Sequence, residues 1–277
     1  MKSLFDIPAP AKLNLFLHIV GRRTDGYHLL ESVFMLIDWC DTLHFEKRTD
    51  GVISREDLTT ALPADDLIVR AARALQQRSG CSQGAHISIA KSIPEQAGLG
   101  GGSSDAASTL LALNRLWELR LSLAQLQTIG LQLGADVPFF LGGHNAWVSG
   151  IGEKMTPIAL NAARFLVVKP SNGLQTQRIF SHPNLKRDSK AARISDFAAD
   201  AFGFGHNDLQ PVAELLCPAV TQALSWCRDH GLNARMTGSG SAVFARIAED
   251  FEAGVVTDFQ SRLCRNLTVH PLQGWAV

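Results

Sequence analysis

The chain has 277 residues, 46% of them hydrophobic and 19% charged, with 26 Lys and Arg balanced by 26 Asp and Glu. That length permits a full core in one large domain or two, and a formal net charge of zero excludes any global pull toward nucleic acid or an anionic membrane. Five scattered cysteines (Cys40, Cys81, Cys217, Cys227, Cys264) form no Cys-x-x-Cys pair, which reads as reduced thiols and excludes a disulfide frame or a zinc site. The first residues lack an apolar signal core and no apolar run approaches a membrane span. A cytoplasmic protein is expected.

From Ala11 to Val20 apolar residues alternate, with Leu13, Leu15, Leu17 and Ile19 on one side and Lys12, Asn14, Phe16 and His18 on the other. The pattern predicts a strand with one buried face. Lys12 and Asn14 leave the same face about 7 Å apart. They are either solvent-facing edge groups or a cation and an amide offered to an anion. After the polar turn Arg22–Gly26 come Tyr27, the only tyrosine, and His28. Such a pair packs on a surface or forms a stacking platform with a hydrogen-bonding edge. Val33 to Ile37 reads as the next strand. Asp65 and Asp66 precede a capped helix over Leu67–Leu75, and His86 to Ala90 alternates again with Ile87 and Ile89 inward.

That strand runs into Pro94-Glu95-Gln96-Ala97-Gly98-Leu99-Gly100-Gly101-Gly102-Ser103-Ser104-Asp105. Glycines let the backbone bend sharply and approach another molecule, and the following helix points its unpaired N–H groups at the bend. This is the physical recipe for a phosphate cradle, the alternative being a flexible glycine turn, although no Gly-Lys-Ser/Thr of a Walker loop follows. Ser103 and Ser104 are expected to cap the helix, along which Ala106, Ala107, Leu110, Leu111 and Trp117 make one stripe. A further helix over Leu121–Leu133 ends at Gly134 and restarts at Pro138. Between them Asp136 sits among apolar neighbours, where it can accept a proton, orient a hydroxyl, or simply cap the next helix.

Residues 146–155 read as a strand with Gly150 and Gly152 near its end, and a domain boundary is placed near 155. Phe165–Val168 is a buried strand, 181–207 is polar and loop-rich, and Val212–His230 is largely helical despite Pro218. Short strands at Ala234–Met236 and Val243–Ile247 flank a second small-residue loop, Thr237–Ser241. The nine histidines show no metal spacing, and no nucleophile elbow is present.

Three blocks, Pro10–Leu15, the loop 94–107 and Met236–Phe244, stand in an order that resembles the small-molecule kinases named for galactokinase, homoserine kinase, mevalonate kinase and phosphomevalonate kinase. Within that superfamily Ala11–Leu17, Asp25-Gly26-Tyr27-His28, Gly134–Pro138 and Asn207-Asp208-Leu209 are similar to the branch acting on a cytidine-diphosphate-linked methylerythritol. The resemblance runs from about residue 8 to 247. It implies a two-domain α+β fold with the active site in the inter-domain cleft, residues 1–155 forming the ATP-binding domain and 156–277 the substrate-binding domain. It implies transfer of the γ-phosphoryl of ATP, with Mg²⁺, to the 2-hydroxyl of that small molecule, a step of the non-mevalonate route to isoprenoid precursors. A monomer or homodimer with no nucleic-acid or membrane partner is expected.

By the same resemblance, Pro94, Glu95, Gln96, Ala97, Gly98, Leu99, Gly100, Gly101, Gly102, Ser103 and Ser104 wrap the ATP phosphates. Lys12 and Asp136 match the catalytic pair and Asn14 a substrate contact. Tyr27, His28 and Phe180 match the residues that sandwich and read cytosine. Lys91 and Thr176 stand where the family has further nucleotide and substrate contacts, and no protein ligand to a metal is assigned. One departure is Asp65-Asp66-Leu67-Ile68 where the family usually has Asp-Asn-Leu-Ile. The carboxylate removes two donors near the expected adenine side, or serves only as a cap. The rival readings are a mevalonate- or homoserine-type kinase, a non-catalytic nucleotide-binding regulator, and an RNA-binding module, the last opposed by the absence of a basic stripe.

Overall fold

The computed structural model describes residues 1–252 and 259–276. Its first half is a mixed sheet. Strands β1 (Ser3–Arg22) and β2 (His28–Arg48) form a long antiparallel hairpin. Strands β3 (Ile53–Asp57), β4 (Gly84–Ala90), β5 (Ala146–Ser149) and β6 (Lys154–Pro157) complete six strands in the order β3-β4-β2-β5-β6, with β1 on β2. Only the β3–β4 pair is parallel. Helices α1 (Leu67–Ser79), α2 (Gly101–Leu116), α3 (Leu123–Leu133) and α4 (Val137–Gly142) cover one face.

A second sheet of four antiparallel strands has the order β10-β7-β9-β8, from β7 (Arg164–Lys169), β8 (Ala234–Met236), β9 (Val243–Ile247) and β10 (Gln260–Arg265). Helices α5 (Thr176–Phe180), α6 (Ile194–Ala199), α7 (Gln210–Leu216) and α8 (Pro218–Asp229) accompany it.

The local rules explain most of these elements. Asp66 caps α1 by accepting from Val69 N–H at 3.1 Å, and Gly80 closes it in the left-handed region. Ser122 and Gln125 form a capping box on α3. Tertiary context overrules others. The expected one-sided strand at Ala11–Val20 is buried on both faces, because β1 also packs into a cluster with Phe165, Val167 and Phe244 of the second sheet. Bulges between Pro10 and Lys12 and between Asn14 and Leu17 break its alternation, so neighbouring Leu15 and Phe16 are both buried.

The α2 stripe is likewise too narrow a reading: Ser104 to Leu116 is buried almost throughout, since α2 lies between α1, α4 and the sheet. The stretch 146–155 is a hairpin rather than one strand, turned at Gly150 (φ 76°) and Gly152 (φ 110°). The helix expected over Val212–His230 is two, because Cys217 is extended and Pro218 opens the second. Strands β3 and β10 escaped notice because they are largely polar edge strands.

Candidate active site

Strand β4 delivers the chain into the glycine loop, where Gln96 (φ 49°), Gly98 (φ 73°) and Gly100 (φ 74°) are left-handed. Glycine is compulsory at 98, since a Cβ there would come within 2.2 Å of the Thr237 carbonyl oxygen. Backbone bonds tie this loop to the second one: Ser241 N–H donates to Gln96 O and Ala242 N–H to Ala97 O, both at 3.1 Å. Lys12 N–H donates to Leu99 O at 2.9 Å. Every position from Pro94 to Ser103 lines a cleft of about 990 Å³, together with residues of both halves of the chain.

Helix α2 begins at Gly101 on the left-handed Gly100, and no side chain closes its N-terminus. The expectation that Ser103 and Ser104 cap it is corrected, because Gly100 has already turned the chain and both serines lie inside the first turn. Ser103 lines the cleft, whereas the Ser104 side chain is fully buried with its hydroxyl unpartnered. The amides of Gly101, Gly102 and Ser103 therefore have neither an intrahelical acceptor nor a cap. With the positive end of the helix dipole behind them they suit an oxyanion.

Lys12 approaches the same cleft from β1. Its ammonium is buried, donates to Asn14 Oδ1, lies 3.6 Å from Asp136 Oδ2 and sits 4.7 Å from the centre of the Phe34 ring. Burial pulls the Lys12 ammonium below its ordinary range, opposed by the Asp136 carboxylate. Asn14 is held in turn, its Nδ2 donating to Ser32 Oγ and its backbone N–H to Thr237 Oγ1, both at 2.9 Å. Asp136 occupies the cap position of α4 without capping it. Its carboxylate, 32% exposed, instead lines the cleft opposite Lys12.

Lys91 lines the cleft too, yet its ammonium is buried between Asp41 and Asp105, 2.7 Å from the latter. Burial works against its charge, but Asp105 and Asp41 outweigh it and raise its affinity for the proton. Asp105 is driven upward by burial and by Asp41, against the pull of Lys91. Asp41 also accepts from the backbone N–H groups of Ser92 and Ile93, pinning the start of the loop. Asp41 lies 50 residues from Lys91, and no sequence pattern pairs them. Asp66 is both cap and ion-pair partner: its Oδ1 lies 2.6 Å from Arg55 Nη1, at the cleft edge beside Leu62, Pro63 and Leu67.

On the other side of the cleft Thr176 Oγ1 and Ser239 Oγ are 2.7 Å apart, and Phe180 lines the wall. The His28 ring packs against Phe180 at 5.3 Å between centres. Arg187 Nε donates to His28 Nε2 at 3.1 Å, leaving the His28 proton on Nδ1. Burial first, then Arg187 and Arg22, hold His28 below its usual range, favouring the neutral ring. Sequence reasoning missed Arg187, which no motif marks. Tyr27 is 61% exposed on the turn and, among the described residues, makes no ring contact with Phe180.

Residues 66–144 match the model of the GHMP kinases N terminal domain and 183–262 that of the GHMP kinases C terminal domain. A 4-diphosphocytidyl-2-C-methyl-D-erythritol kinase from Albidiferax ferrireducens is 70% identical, over all of this chain and 97% of its own. One from Variovorax paradoxus is 62% identical over the whole of both. A crystal structure of 4-(cytidine 5'-diphospho)-2C-methyl-D-erythritol kinase superposes with a TM-score of 0.80 at 32% identity, covering 95% of this chain and 98% of that one. Identity at this level, sustained from end to end on a shared fold, makes the chain a member of the 4-diphosphocytidyl-2-C-methyl-D-erythritol kinase family of GHMP kinases.

Proposed function

We propose that this protein transfers the γ-phosphoryl of ATP to the 2-hydroxyl of 4-diphosphocytidyl-2-C-methyl-D-erythritol, a step of non-mevalonate isoprenoid precursor synthesis. The observation that carries the reading is the Lys12–Asp136 pair, 3.6 Å apart in the same cleft as the uncapped N-terminus of α2. Phosphoryl transfer asks a protein to align donor and acceptor and to stabilise charge that spreads over the moving group. The loop from Pro94 to Ser104 would hold the phosphates through backbone amides. Asp136 would orient the acceptor hydroxyl and take its proton, while Lys12, fixed by Asn14, would polarise the attacking oxygen.

The acceptor's base fits the aromatic wall. A cytosine stacked on Phe180 would meet the Nδ1–H of His28, with Tyr27 folding over its open face. Thr176 would contact the same substrate. Lys91 supports the nucleotide side by fixing the loop through Asp41 and Asp105. The chain works as two units, residues 1–155 around the nucleotide and 156–277 closing on the acceptor, in the cytoplasm, as a monomer or homodimer.

Magnesium takes hard oxygen donors, and the Ser103 hydroxyl and Asp136 carboxylate that line the cleft are of that kind. Among the described residues no three His, Cys, Asp or Glu gather into a metal-binding group, so the nucleotide's own phosphate oxygens would supply most of the ligands. Bound there, the ion would neutralise charge on the β- and γ-phosphates.

Release of ADP, measured by a coupled assay, tests the reading. Turnover is expected with the cytidine substrate and not with mevalonate or homoserine. Turnover of either of those at a comparable kcat/KM would overturn the substrate assignment. Salt-sensitive RNA binding with no ADP release would overturn the kinase itself.

A further inference from the structure

Farther along β1 a second pocket, of about 340 Å³, is bordered by His18, Lys186, Asp188, Ser189, Lys190 and His206. It shares no lining residue with the catalytic cleft. His18 and Ser189 are each more than nine-tenths buried, yet His18 Nδ1 and Ser189 Oγ have no hydrogen-bond partner. His206 N–H donates to His18 Nε2 at 3.4 Å, which makes Nε2 the acceptor and leaves the ring proton on Nδ1. Burial, followed by His206, lowers the affinity of His18 for a second proton, with Lys186 acting the same way and Asp208 against. The unmet atom on His18 is thus an N–H donor. Buried polar atoms normally have partners, and two unmet ones on residues that border one pocket point to a group bound there that would meet them.

The walls are fixed to the strand. Ser189 N–H donates to Ile19 O at 3.0 Å, and Ile19 N–H donates to Asp208 Oδ2 at 2.7 Å. The second oxygen of Asp208 holds the His206 ring at 2.8 Å. Lys186 and Lys190 are exposed and border the pocket with two positive charges, against the one negative charge of Asp188. Two lysines, a buried N–H donor and a buried hydroxyl therefore belong to residues that border one space.

We propose that this pocket is a second anion site, distinct from the catalytic cleft, that takes the phosphate group of a small phosphate ester. A phosphate ester offers three strongly accepting oxygens and a charge near −2. A carboxylate offers two oxygens and one charge to the same four donors. The volume exceeds what a lone phosphate fills and leaves room for a short organic group.

The test is calorimetric titration of the full chain with inorganic phosphate and with glycerol 3-phosphate. A non-hydrolysable ATP analogue is kept saturating throughout, so that neither probe can bind the glycine loop. One site per chain is expected, tighter for the ester. Binding should weaken at least tenfold in Lys186→Ala/Lys190→Ala and also in Ser189→Ala, while the kcat and KM of the kinase reaction stay within twofold. The lysines are exposed, so the double variant keeps the test valid if Ser189→Ala proves unstable. With ¹⁵N-labelled histidine, the His18 ring nitrogens should shift during titration. Absence of saturable binding would overturn the proposal. So would binding lost with the lysines while the His18 resonances stay still, since that describes a charged surface and not a built pocket.

Discussion

Gly98→Ala puts the geometry of the phosphate loop under the most direct strain. Gly98 has φ 73°, and a Cβ there would stand 2.2 Å from Thr237 O and 3.0 Å from Gly240 N. The left-handed conformation alone costs an alanine about 1 kcal/mol. Relieving a 2.2 Å contact needs a retreat of about 1 Å from rigid backbone, and a displacement of that size in a positioning group costs about 100-fold in rate. We therefore expect kcat/KM for ATP to fall about 100-fold, equivalent to about 2.7 kcal/mol of transition-state stabilisation.

Gly80→Ala isolates the conformational part. Gly80 has φ 66° at the end of α1, with nothing within 4 Å of its would-be Cβ. That variant should lose about 1 kcal/mol of stability, a drop of about 2–4 °C in Tm, with unchanged kinetics. Both variants are compared by coupled ADP release and thermal melting. If Gly98→Ala keeps kcat/KM within threefold of the parent, the tight loop-to-loop contact does not position the nucleotide and the reasoning fails.

Asp136→Asn should lower kcat by about 10²–10⁴-fold while the Kd of an ATP analogue stays within threefold; equal loss in both would make Asp136 a nucleotide-binding residue. Burial lowers the His270 pKa from 6.5 to about 4, so the unfolded chain binds the extra proton between those values. The stability is fully present above pH 6.5, and about 3 kcal/mol is lost as pH falls to 4. His270→Gln should flatten that slope in urea titrations at several pH values, and an unchanged slope would refute the assignment. Removing divalent cation with a chelator should weaken ATP binding at least tenfold in equilibrium titration, and unaltered affinity would show that the protein's own groups suffice.

What could be read in the sequence was what neighbours in sequence decide. The glycine loop, the helix after it and the Asp66 cap depend on a few consecutive residues, and their signals are local. Lys91 is different. The family resemblance implies a nucleotide or substrate contact for it, but Asp41 arrives from β2 and Asp105 from α2 to engage its ammonium. By sequence alone Asp136 could cap a helix, orient a hydroxyl or accept a proton. Its chain geometry at α4 and the arrival of Lys12 from the far end of the chain decide in favour of the cleft. Burial of β1 on its second face as well was not legible for the same reason: the second sheet it packs against is encoded 150 residues later.

These long-range pairings bear on how a protein of zero formal net charge would hold a highly charged nucleotide. The cleft is lined by two lysines, Lys12 and Lys91, and four acids, Asp66, Glu95, Asp105 and Asp136. Lys91 is committed to two carboxylates, Lys12 to Asn14 and Asp136, and the charge of Asp66 is met by Arg55. Side chains therefore offer the triphosphate little uncommitted positive charge. On the proposed reading, attraction would come from groups whose charge is not cancelled by a neighbour, namely the amides at the start of α2, its dipole, and a cation travelling with the phosphates. Backbone amides act only at contact distance, so the loop has to be tight. That requirement explains why left-handed glycines and the close contact between Gly98 and Thr237 stand where a Walker-type loop would place a lysine.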